Sequence, residues 1–420
     1  MTAKNKILNV YFNQILVGHY EQQEGKNFFS YDASYLKKSD ARAISVALPL
    51  QSERFDSKTT HNFFAGFLPE DQQRKIIARN LGITANNDYS LLEKIGGECA
   101  GAISLLPDEQ YPQPNIPEYR KLTSKNLIDI ILELPTRPLL AGEDDIRMSL
   151  AGVQDKLAIT ILDETFFLPL NGAPTTHIIK PEILGYDFST VINEAFCLKL
   201  AKSIGLSVAE CEITISDGIK YLLVKRYDRD VIDAKNFKIK RLHQEDFCQA
   251  LNIAPECKYQ NEGGPSLEQC ISLVRNNVKN KIQGLKSILD AIIYNYIIGN
   301  CDAHGKNFSL LYKDNEATIA PIYDVLCTTL YPHLSKKMAM KIGGEYNIEK
   351  ITISDVTSFF EQVGFNKKLV LTRIVELANM VLKTINTIQV NNAEVICSFI
   401  ENRAHQIINM SNRTLSNTSK

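Results

Sequence analysis

The stretch Asn300 to Ser309 reads N-C-D-A-H-G-K-N-F-S, and it decides how the rest of the chain is interpreted. Asp302 and Asn307 stand five positions apart in it, between a helical pattern and a strand pattern. Loops with a carboxylate and an amide at this spacing carry the catalytic base and a magnesium ligand in enzymes that transfer phosphoryl groups. The stretch therefore predicts a loop that orients an attacking hydroxyl group beside a metal ion.

A second carboxylate follows this loop after a predicted hairpin. Apolar Phe308 to Tyr312 and Thr318 to Tyr323 form its two strands, with a polar turn between them. Asp324 comes next, in the run A-P-I-Y-D-V from Ala320 to Val325. Loop, hairpin and carboxylate follow each other in this order in protein kinases. Either loop alone is weak evidence, since an Asp after a strand is more often a cap or a turn former.

Composition sets outer bounds on the function. The chain has 420 residues and 44% apolar content, which suits two or three domains with cores of their own. The 47 basic and 48 acidic side chains give a net charge of -1, which argues against coating nucleic acid by charge alone. A basic run from Ser335 to Lys341 favours a solvated face first, and recognition of an acidic partner or DNA backbone second.

Cysteine usage and the chain ends predict a cytoplasmic protein. The nine cysteines show no C-x-x-C pair, which is typical of reduced, buried side chains, and Cys301 beside Asp302 suits packing better than chemistry. No signal peptide is evident in Met1 to Gln14, and no apolar run is long enough to cross a membrane. The polar residues Ser411 to Lys420 predict a disordered tail.

The pattern along the chain predicts a small mixed domain, a connector and two further parts. Strands at Ile7 to Phe12 and Gln14 to Tyr20 and helices at His61 to Leu68 and Gln72 to Leu81 form the first domain. The proline-rich stretch Pro107 to Pro117 suits an extended connector.

The middle of the chain is predicted to be mainly strands. The predicted strands are Leu157 to Leu162, Thr165 to Leu168, Thr175 to Lys180, Cys211 to Ile215 and Lys220 to Tyr227. Asp217-Gly218 is a hairpin signal, and a helix is predicted from an Asn193 cap to Ile204. Beyond Asp230 the pattern predicts helices apart from the hairpin already described, and an apolar stripe from Ile282 to Tyr296 stops at Gly299.

Phosphate contacts need amides and cations, and three regions offer them. Met148 to Leu157 has one glycine near Lys156 but lacks G-x-G-x-x-G and the Walker pattern, so a plain surface turn is its alternative. Lys180, on a strand before a helix, suits a phosphate contact. Glu194 could hold that lysine, or be favoured by the helix dipole alone. His304 and Lys306 either touch phosphate or shape the loop.

The chain resembles the HipA family of bacterial serine/threonine kinase toxins along nearly its whole length. The resemblance rests on M-S-L-A-G-V-Q-D-K-L-A, T-T-H-I-I-K, V-K-R-Y-D-R, R-L-H-Q-E-D-F-C-Q, K-Y-Q-N-E-G-G-P, D-A-H-G-K-N-F-S and P-I-Y-D, in family order. It implies an α+β, bilobal protein-kinase-like fold with an extra N-terminal domain. The implied domains are residues 1–110, a connector and small lobe at 111–229, and a helical lobe at 230–420.

The resemblance also implies residue roles. Asp302 is the expected catalytic base, and Asn307 and Asp324 are the expected Mg²⁺ ligands. Ser149 matches a serine whose autophosphorylation ejects the phosphate loop and silences the kinase. The hinge departs from the family at Lys225, where an acidic residue is expected, but hinge contacts are largely main-chain. The residues expected to contact ATP are Ala151, Gly152, Val153, Gln154, Asp155, Lys156, Lys180, Lys225, Arg226, Tyr227, His304, Gly305, Lys306, Asn307, Tyr323 and Asp324.

The expected function is an ATP- and Mg²⁺-dependent kinase that arrests growth by phosphorylating a translation component such as an aminoacyl-tRNA synthetase. The implied partner is a HipB-like helix-turn-helix antitoxin, with DNA contacted mainly through it and no membrane involved. Two alternatives stay open from the residues. One is a phosphotransferase acting on a small molecule or, as a secreted effector, on a host protein. The other is a corepressor that uses the fold only for binding.

Overall fold

The computed structural model describes residues 6–107, 110, 117–314 and 316–418. The chain divides into two compact units. The first comprises Met1–Pro181, Thr214–Glu256 and Leu311–Glu316, and the second comprises Glu182–Ile213, Cys257–Leu310 and Ala317–Lys420. Residues 111–116, in the middle of the predicted connector, lie outside the described residues.

The described residues form seventeen strands and twelve α-helices. The strands are β1 Lys6–Phe12, β2 Ile15–Gln23, β3 Lys26–Tyr31, β4 Ile103–Pro107, β5 Tyr119–Lys121, β6 Leu157–Leu162, β7 Thr165–Pro169, β8 His177–Pro181, β9 Cys211–Ser216, β10 Ile219–Lys225, β11 Arg229–Asp233, β12 Lys238–Arg241, β13 His243–Asp246, β14 Ser309–Lys313, β15 Glu316–Ile319, β16 Lys337–Ile342 and β17 Glu345–Asn347. The helices are α1 Ala33–Leu36, α2 Ser57–Phe64, α3 Asp71–Asn80, α4 Asp88–Ile95, α5 Ser124–Glu133, α6 Thr190–Ser203, α7 Phe247–Ala250, α8 Leu267–Asn277, α9 Lys281–Ile298, α10 Ile353–Gln362, α11 Lys367–Thr384 and α12 Glu394–Thr418.

The first unit begins with an antiparallel sheet of order β3-β2-β1-β4. Its inner face is apolar because Leu8, Val10 and Phe12 alternate along β1 and are buried. The two predicted strands at the start of the chain are confirmed. The helix α2 begins at Ser57, four residues before the prediction, because the carboxylate of Asp56 caps it by accepting from Lys58 N and Thr59 N at 2.9 Å.

The second sheet has the order β5-β7-β6-β8-β10-β9. The hairpin predicted at Asp217-Gly218 is confirmed, and the predicted strands β6 and β7 form a second hairpin, because the turn residues adopt the left-handed conformation that tight turns require. Asp163 and Glu164 have φ of 46° and 62°, and Asp217 and Gly218 have φ of 47° and 80°. Lys180 stands on β8, in register with Leu222 of β10.

The second unit contains the long buried helix α9, whose predicted end is confirmed. Gly299 caps it with φ 78°, and a side chain there would collide with the hydroxyl of Thr329. Arg403 of α12 donates to Tyr296 O at 2.8 Å and Ile297 O at 3.1 Å, so it satisfies two of the last carbonyl groups of α9. The end of α9 is therefore fixed from two sides.

Three local predictions are wrong. The chain beyond Asp230 is not helical apart from one hairpin, since β11, β12, β13, β16 and β17 lie there. Short strands such as Lys238–Arg241, with exposed lysines, carry little apolar alternation for a pattern to detect. Asn193 is not a helix cap, because Ser189 caps α6 and Asn193 is buried inside it.

The third wrong prediction concerns the C-terminus. Residues 411–418 are helical rather than disordered, because α12 continues to Thr418. Buried Ile400, Ala404, Ile407 and Ser411 follow each other at helical spacing, and the Ser411 hydroxyl donates to Ile407 O at 2.8 Å. Residues 419–420 lie outside the described residues.

Two findings bear on the broader class of the protein. No disulfide joins any of the nine cysteines, all of which lie in the described ranges. Among the described helices, none combines the length and apolar character that a bilayer span needs.

A buried ion network connects distant parts of the first unit. Glu98, which follows α4, accepts hydrogen bonds from Arg226 Nη1 at 3.2 Å and Arg229 Nη2 at 2.9 Å. Asp228 accepts from Arg226 Nη2 at 2.9 Å, and all four side chains are buried. Burial alone would raise the pKa of Glu98, but the two guanidinium groups lower it to about 2. Each of the four buried charges is therefore compensated by the others, and the loss of one would destabilise the network.

We expect Glu98→Gln to lower the free energy of unfolding by about 3–5 kcal/mol, because it leaves buried guanidinium charge uncompensated. Urea unfolding at neutral pH measures this. The matched control is Glu210→Gln, which breaks an ion pair with Lys202 in which both side chains are more than half exposed, and should cost under about 1 kcal/mol. Equal losses in the two variants would contradict the role of the network.

Candidate active site

The predicted catalytic loop, Asn300 to Ser309, starts directly after the fixed end of α9. Asn300 is buried, donates to Asn295 Oδ1 at 2.8 Å and accepts from the backbone N–H of Asp302 at 3.0 Å. Cys301 N donates to the hydroxyl of Thr328 at 2.7 Å. Asp302 itself is exposed. A rigid backbone thus presents a solvent-accessible carboxylate, as a base for an incoming hydroxyl group requires.

Asn307 closes the loop back onto Asp302. It ends a short 3₁₀ turn, Gly305–Asn307, and its side-chain nitrogen donates to the backbone oxygen of Asp302 at 2.9 Å. Because the nitrogen is used in this way, the amide oxygen is the atom suited to a cation.

Asp324 lies in the segment that follows β15, close to Asn307. Asn307 and Asp324 line one pocket, together with Asn300 and Tyr323. The Tyr323 hydroxyl donates to Lys306 O at 2.6 Å, which ties the Asp324 segment to the catalytic loop. Asp324 has φ of 56°, a conformation that is uncommon outside glycine and concentrates at functional sites.

The donor set of this pocket fits Mg²⁺ held together with phosphate. Within the described ranges, no three His, Cys, Asp or Glu side chains are grouped so that they could enclose an ion. Magnesium bound to a nucleotide needs only one or two protein oxygen ligands, since phosphate and water supply the others. One carboxylate and one amide oxygen on a shared pocket wall meet that requirement.

The remaining loop residues are buried. His304 and Lys306 are 6% and 7% exposed, respectively, and Gly305 N donates to Lys258 O at 3.4 Å. Burial raises the pKa of the Cys301 thiol, which suits packing rather than reactivity. Whether His304 and Lys306 touch phosphate stays a prediction.

The sequence interpretation gave no role to Tyr259. Its hydroxyl donates to Oδ1 of Asp302 at 2.6 Å, and its ring packs edge-on against His304 with centroids 5.3 Å apart. The two residues are 43 positions apart in the chain, so no local pattern connects them. The sequence signal for Tyr259 was its place in the stretch K-Y-Q-N-E-G-G-P, which is one of the motifs on which the family resemblance rests.

The predicted phosphate loop lies in the first unit and is bound along its length. Ser149 is 0% exposed, its N–H donates to Glu98 O at 2.8 Å and its hydroxyl donates to Phe67 O at 2.7 Å. Further along, Glu70 N donates to Gly152 O at 3.2 Å, and Gln73 donates to Asp155 Oδ1 at 2.7 Å. The chain before residue 107 therefore fixes this loop.

Further contacts within the first unit hold the middle of this loop. Gly152 has φ of 110°, and a side chain there would collide with the ammonium group of Lys156. That ammonium group donates to Ala151 O at 2.5 Å, and Gln154 donates to Pro181 O at 3.1 Å. Val153 is 44% exposed, and burial raises the pKa of Asp155.

Lys180 and the predicted hinge also belong to the first unit. Lys180 is buried on β8, and β10 ends at Lys225, which is exposed. Arg226 N donates to Thr176 O at 2.9 Å, while its guanidinium lies in the ion network with Glu98. The hydroxyl of Tyr227 donates to Gln244 Oε1. Nucleotide contacts of Arg226 would therefore come from its backbone.

Glu194 is buried and is the fifth residue of α6, which begins at Thr190, so the alternative that placed it in the first helical turn is wrong. A buried carboxylate requires compensation by a cation or hydrogen bonds. Its pairing with Lys180 stays a prediction.

Comparison with known proteins now identifies the chain. Residues 148–385 match the model of the HipA-like C-terminal domain, and residues 8–106 match the model of the HipA N-terminal domain. The first match alone spans more than half of the chain. This chain belongs to the HipA family. The C-terminal model begins at Met148, so it includes the phosphate loop, Lys180, the catalytic loop and Asp324.

Two relatives and one solved structure are similar to this chain over most of its length. The protein named "Putative kinase Y4mE" from Sinorhizobium fredii is 41% identical over 379 residues, covering 89% of this chain and 90% of that protein. The serine/threonine-protein kinase toxin HipA of Shewanella oneidensis is 25% identical over 396 residues, covering 91% and 89%. The structure of the Shewanella oneidensis HipA, HipB and operator DNA complex matches with a TM-score of 0.83 and 24% identity, covering 97% and 98%.

The predicted fold class is confirmed by these matches. The HipA fold is an α+β, bilobal protein-kinase-like fold, and the mixed strands and helices described above agree with it. Relatives in this family are named kinases.

The buried position of Ser149 leads to a prediction for the HipA phosphate loop. Ser149→Asp places a carboxylate, which can only accept hydrogen bonds, against the carbonyl oxygen of Phe67 at a fully buried position, so we expect residues 148–155 to detach. Hydrogen exchange followed by mass spectrometry should show at least tenfold faster exchange there.

Ser149→Ala is the matched control, because it removes one hydrogen bond worth about 1 kcal/mol and adds no charge. Equal protection of the loop in the Asp and Ala variants would contradict the account.

Proposed function

We propose that this HipA-family chain is an ATP- and Mg²⁺-dependent protein serine/threonine kinase. The observation that carries the proposal is the grouping in the second unit: an exposed Asp302 on a rigid loop, with Asn307 closed onto it and Asp324 on the same pocket wall as Asn307. A base and two oxygen ligands are the groups that phosphoryl transfer requires from the protein. A module used only for binding has no need of all three.

Each residue has a separate task in the proposed mechanism. Bound Mg²⁺ neutralises charge on the nucleotide phosphates, and Asn307 Oδ1 and the Asp324 carboxylate would hold it. Asp302 accepts the proton of the acceptor hydroxyl and orients that hydroxyl for attack. In the first unit, the loop Ala151 to Lys156 and the ammonium group of Lys180 bind phosphate oxygens. Lys225 to Tyr227 contact adenine mainly through the backbone.

We also propose that Ser149 is an autophosphorylation site that shuts the kinase off. A phosphoryl group adds about two negative charges at a position that is fully buried and hydrogen-bonded to backbone oxygen atoms. It would compete with ATP phosphates for the same cations and amides. The modified loop cannot keep its present position, so the effect is inhibitory.

The biological role we propose is that of the toxin in a toxin-antitoxin system. The support is the family membership, a relative named as a kinase toxin, and a matching structure solved with HipB and operator DNA. A HipB-like helix-turn-helix antitoxin would restrain this chain, with DNA contacted mainly through that partner. The proposed acceptor is a translation component such as an aminoacyl-tRNA synthetase.

We expect purified protein to label Ser149 when it is incubated with Mg²⁺ and radiolabelled ATP. Asp302→Asn should lower that labelling about 10²–10⁴-fold, because it removes the base while keeping the shape of the side chain. Growth arrest on expression should disappear in the same variant. Intact-mass measurement and peptide mapping locate the added phosphoryl group.

Asp217→Asn is the matched control, since this exposed turn residue has a positive φ that Asn also tolerates. It should label like the unmodified chain. Persistent labelling of Asp302→Asn would overturn the assignment of the base. Failure of the unmodified chain to bind nucleotide with Mg²⁺ would favour a corepressor role instead.

A further inference from the structure

The Tyr259 hydroxyl makes a short hydrogen bond to the carboxylate proposed as the base. The distance from Tyr259 Oη to Asp302 Oδ1 is 2.6 Å, which is the range of a hydroxyl bound to an ionised carboxylate. Rotation of an Asp carboxylate about its last bond is soft, with broad, roughly two-fold preferences. A bond of this kind therefore sets the direction in which the oxygen lone pairs point.

Tyr259 is itself held firmly. Its backbone oxygen accepts from Glu262 N at 2.9 Å and from Gly264 N at 2.8 Å, which closes a tight turn. A side chain at Gly264 would overlap the backbone oxygen of Cys257, so this turn requires glycine there. The neighbouring Gln260 accepts from Lys341 N at 2.9 Å.

The ring of Tyr259 is fixed as well as its backbone. Its edge-on contact with His304 places it against the catalytic loop, and the ammonium group of Lys258 lies 5.5 Å from its centroid. The bond from Gly305 N to Lys258 O joins the same two segments through their backbones. Several contacts between the Tyr259 segment and the loop therefore hold the phenol group next to Asp302.

We infer that Tyr259 is a positioning residue for phosphoryl transfer, which orients the Asp302 carboxylate toward the acceptor hydroxyl. This inference rests on the proposed kinase function. Tyr259 does not take the proton, since a phenol that already donates to the carboxylate has no reason to act as the base. Its effect acts through Asp302, so it should change the rate of transfer rather than nucleotide affinity.

The test compares Tyr259→Phe with the unmodified full-length chain. We expect the rate of Ser149 labelling under single-turnover conditions to fall about tenfold, because a hydrogen bond to a charged group is lost. The dissociation constant for a fluorescent ATP analogue with Mg²⁺ should not change.

Tyr296→Phe is the matched control in the same unit. It also removes one phenol hydrogen bond, which Tyr296 donates to Ile351 O at 2.9 Å rather than to Asp302. Its labelling rate should stay within about twofold at every pH, on the scale of one neutral hydrogen bond lost elsewhere. A purely structural role of Tyr259 would make the two variants alike, and a faster Tyr259→Phe variant would mean that the phenol blocks the acceptor. Either result overturns the inference.

A second readout needs no nucleotide. In protein labelled with ¹³C at the tyrosine Cζ, the Tyr259 signal is identified by its absence from Tyr259→Phe. Its chemical shift should differ between the unmodified chain and Asp302→Asn. A Tyr259 signal insensitive to that substitution overturns the inference. A signal that responds to it in a chain that transfers no phosphoryl group overturns the kinase proposal and the catalytic part of this inference with it.

Discussion

The termination of α9 at Gly299 is the constraint on which the catalytic loop depends. The left-handed conformation of Gly299 and its contact with Thr329 leave no room for a side chain, so the chain leaves the helix at one fixed position and direction. Arg403 binds the last helical carbonyl oxygens, and Asn300 bonds both to the helix and to the backbone of Asp302. Asp302, the proposed base, is therefore held by a rigid buried helix although it lies on an exposed loop.

In the first unit, the single residue Glu98 likewise fixes several parts of the chain. The backbone of Glu98 bonds to Arg147 O and accepts from Ser149 N, so it fixes the start of the phosphate loop. Its carboxylate pairs with Arg226 and Arg229, so it also fixes the predicted hinge. One residue from the region that matches the HipA N-terminal domain thus positions two parts of the proposed nucleotide site. This region therefore contributes directly to holding the parts of the chain that are proposed to bind nucleotide.

Sequence patterns predicted what local chemistry determines, and missed what distant contacts determine. The end of α9 and the hairpin at Asp217-Gly218 were predictable because glycine and turn residues signal them directly. The strand Lys238–Arg241 was missed because lysines interrupt its apolar alternation. Arg226 is buried against Glu98, which lies 128 positions away in the chain, and Tyr259 contacts Asp302, which lies 43 positions away. Neither contact therefore leaves a local pattern in the sequence.

The central claim is that Asn307 and Asp324 hold one nucleotide-bound cation next to Asp302. The most direct measurement is a crystal structure of the protein with Mg²⁺ and a non-hydrolysable ATP analogue. The account predicts a magnesium ion about 2.0–2.1 Å from both Asn307 Oδ1 and an Asp324 carboxylate oxygen, with the ion also bound to phosphate. A nucleotide-bound ion that contacts neither residue, or that lies on a different set of side chains, would contradict it.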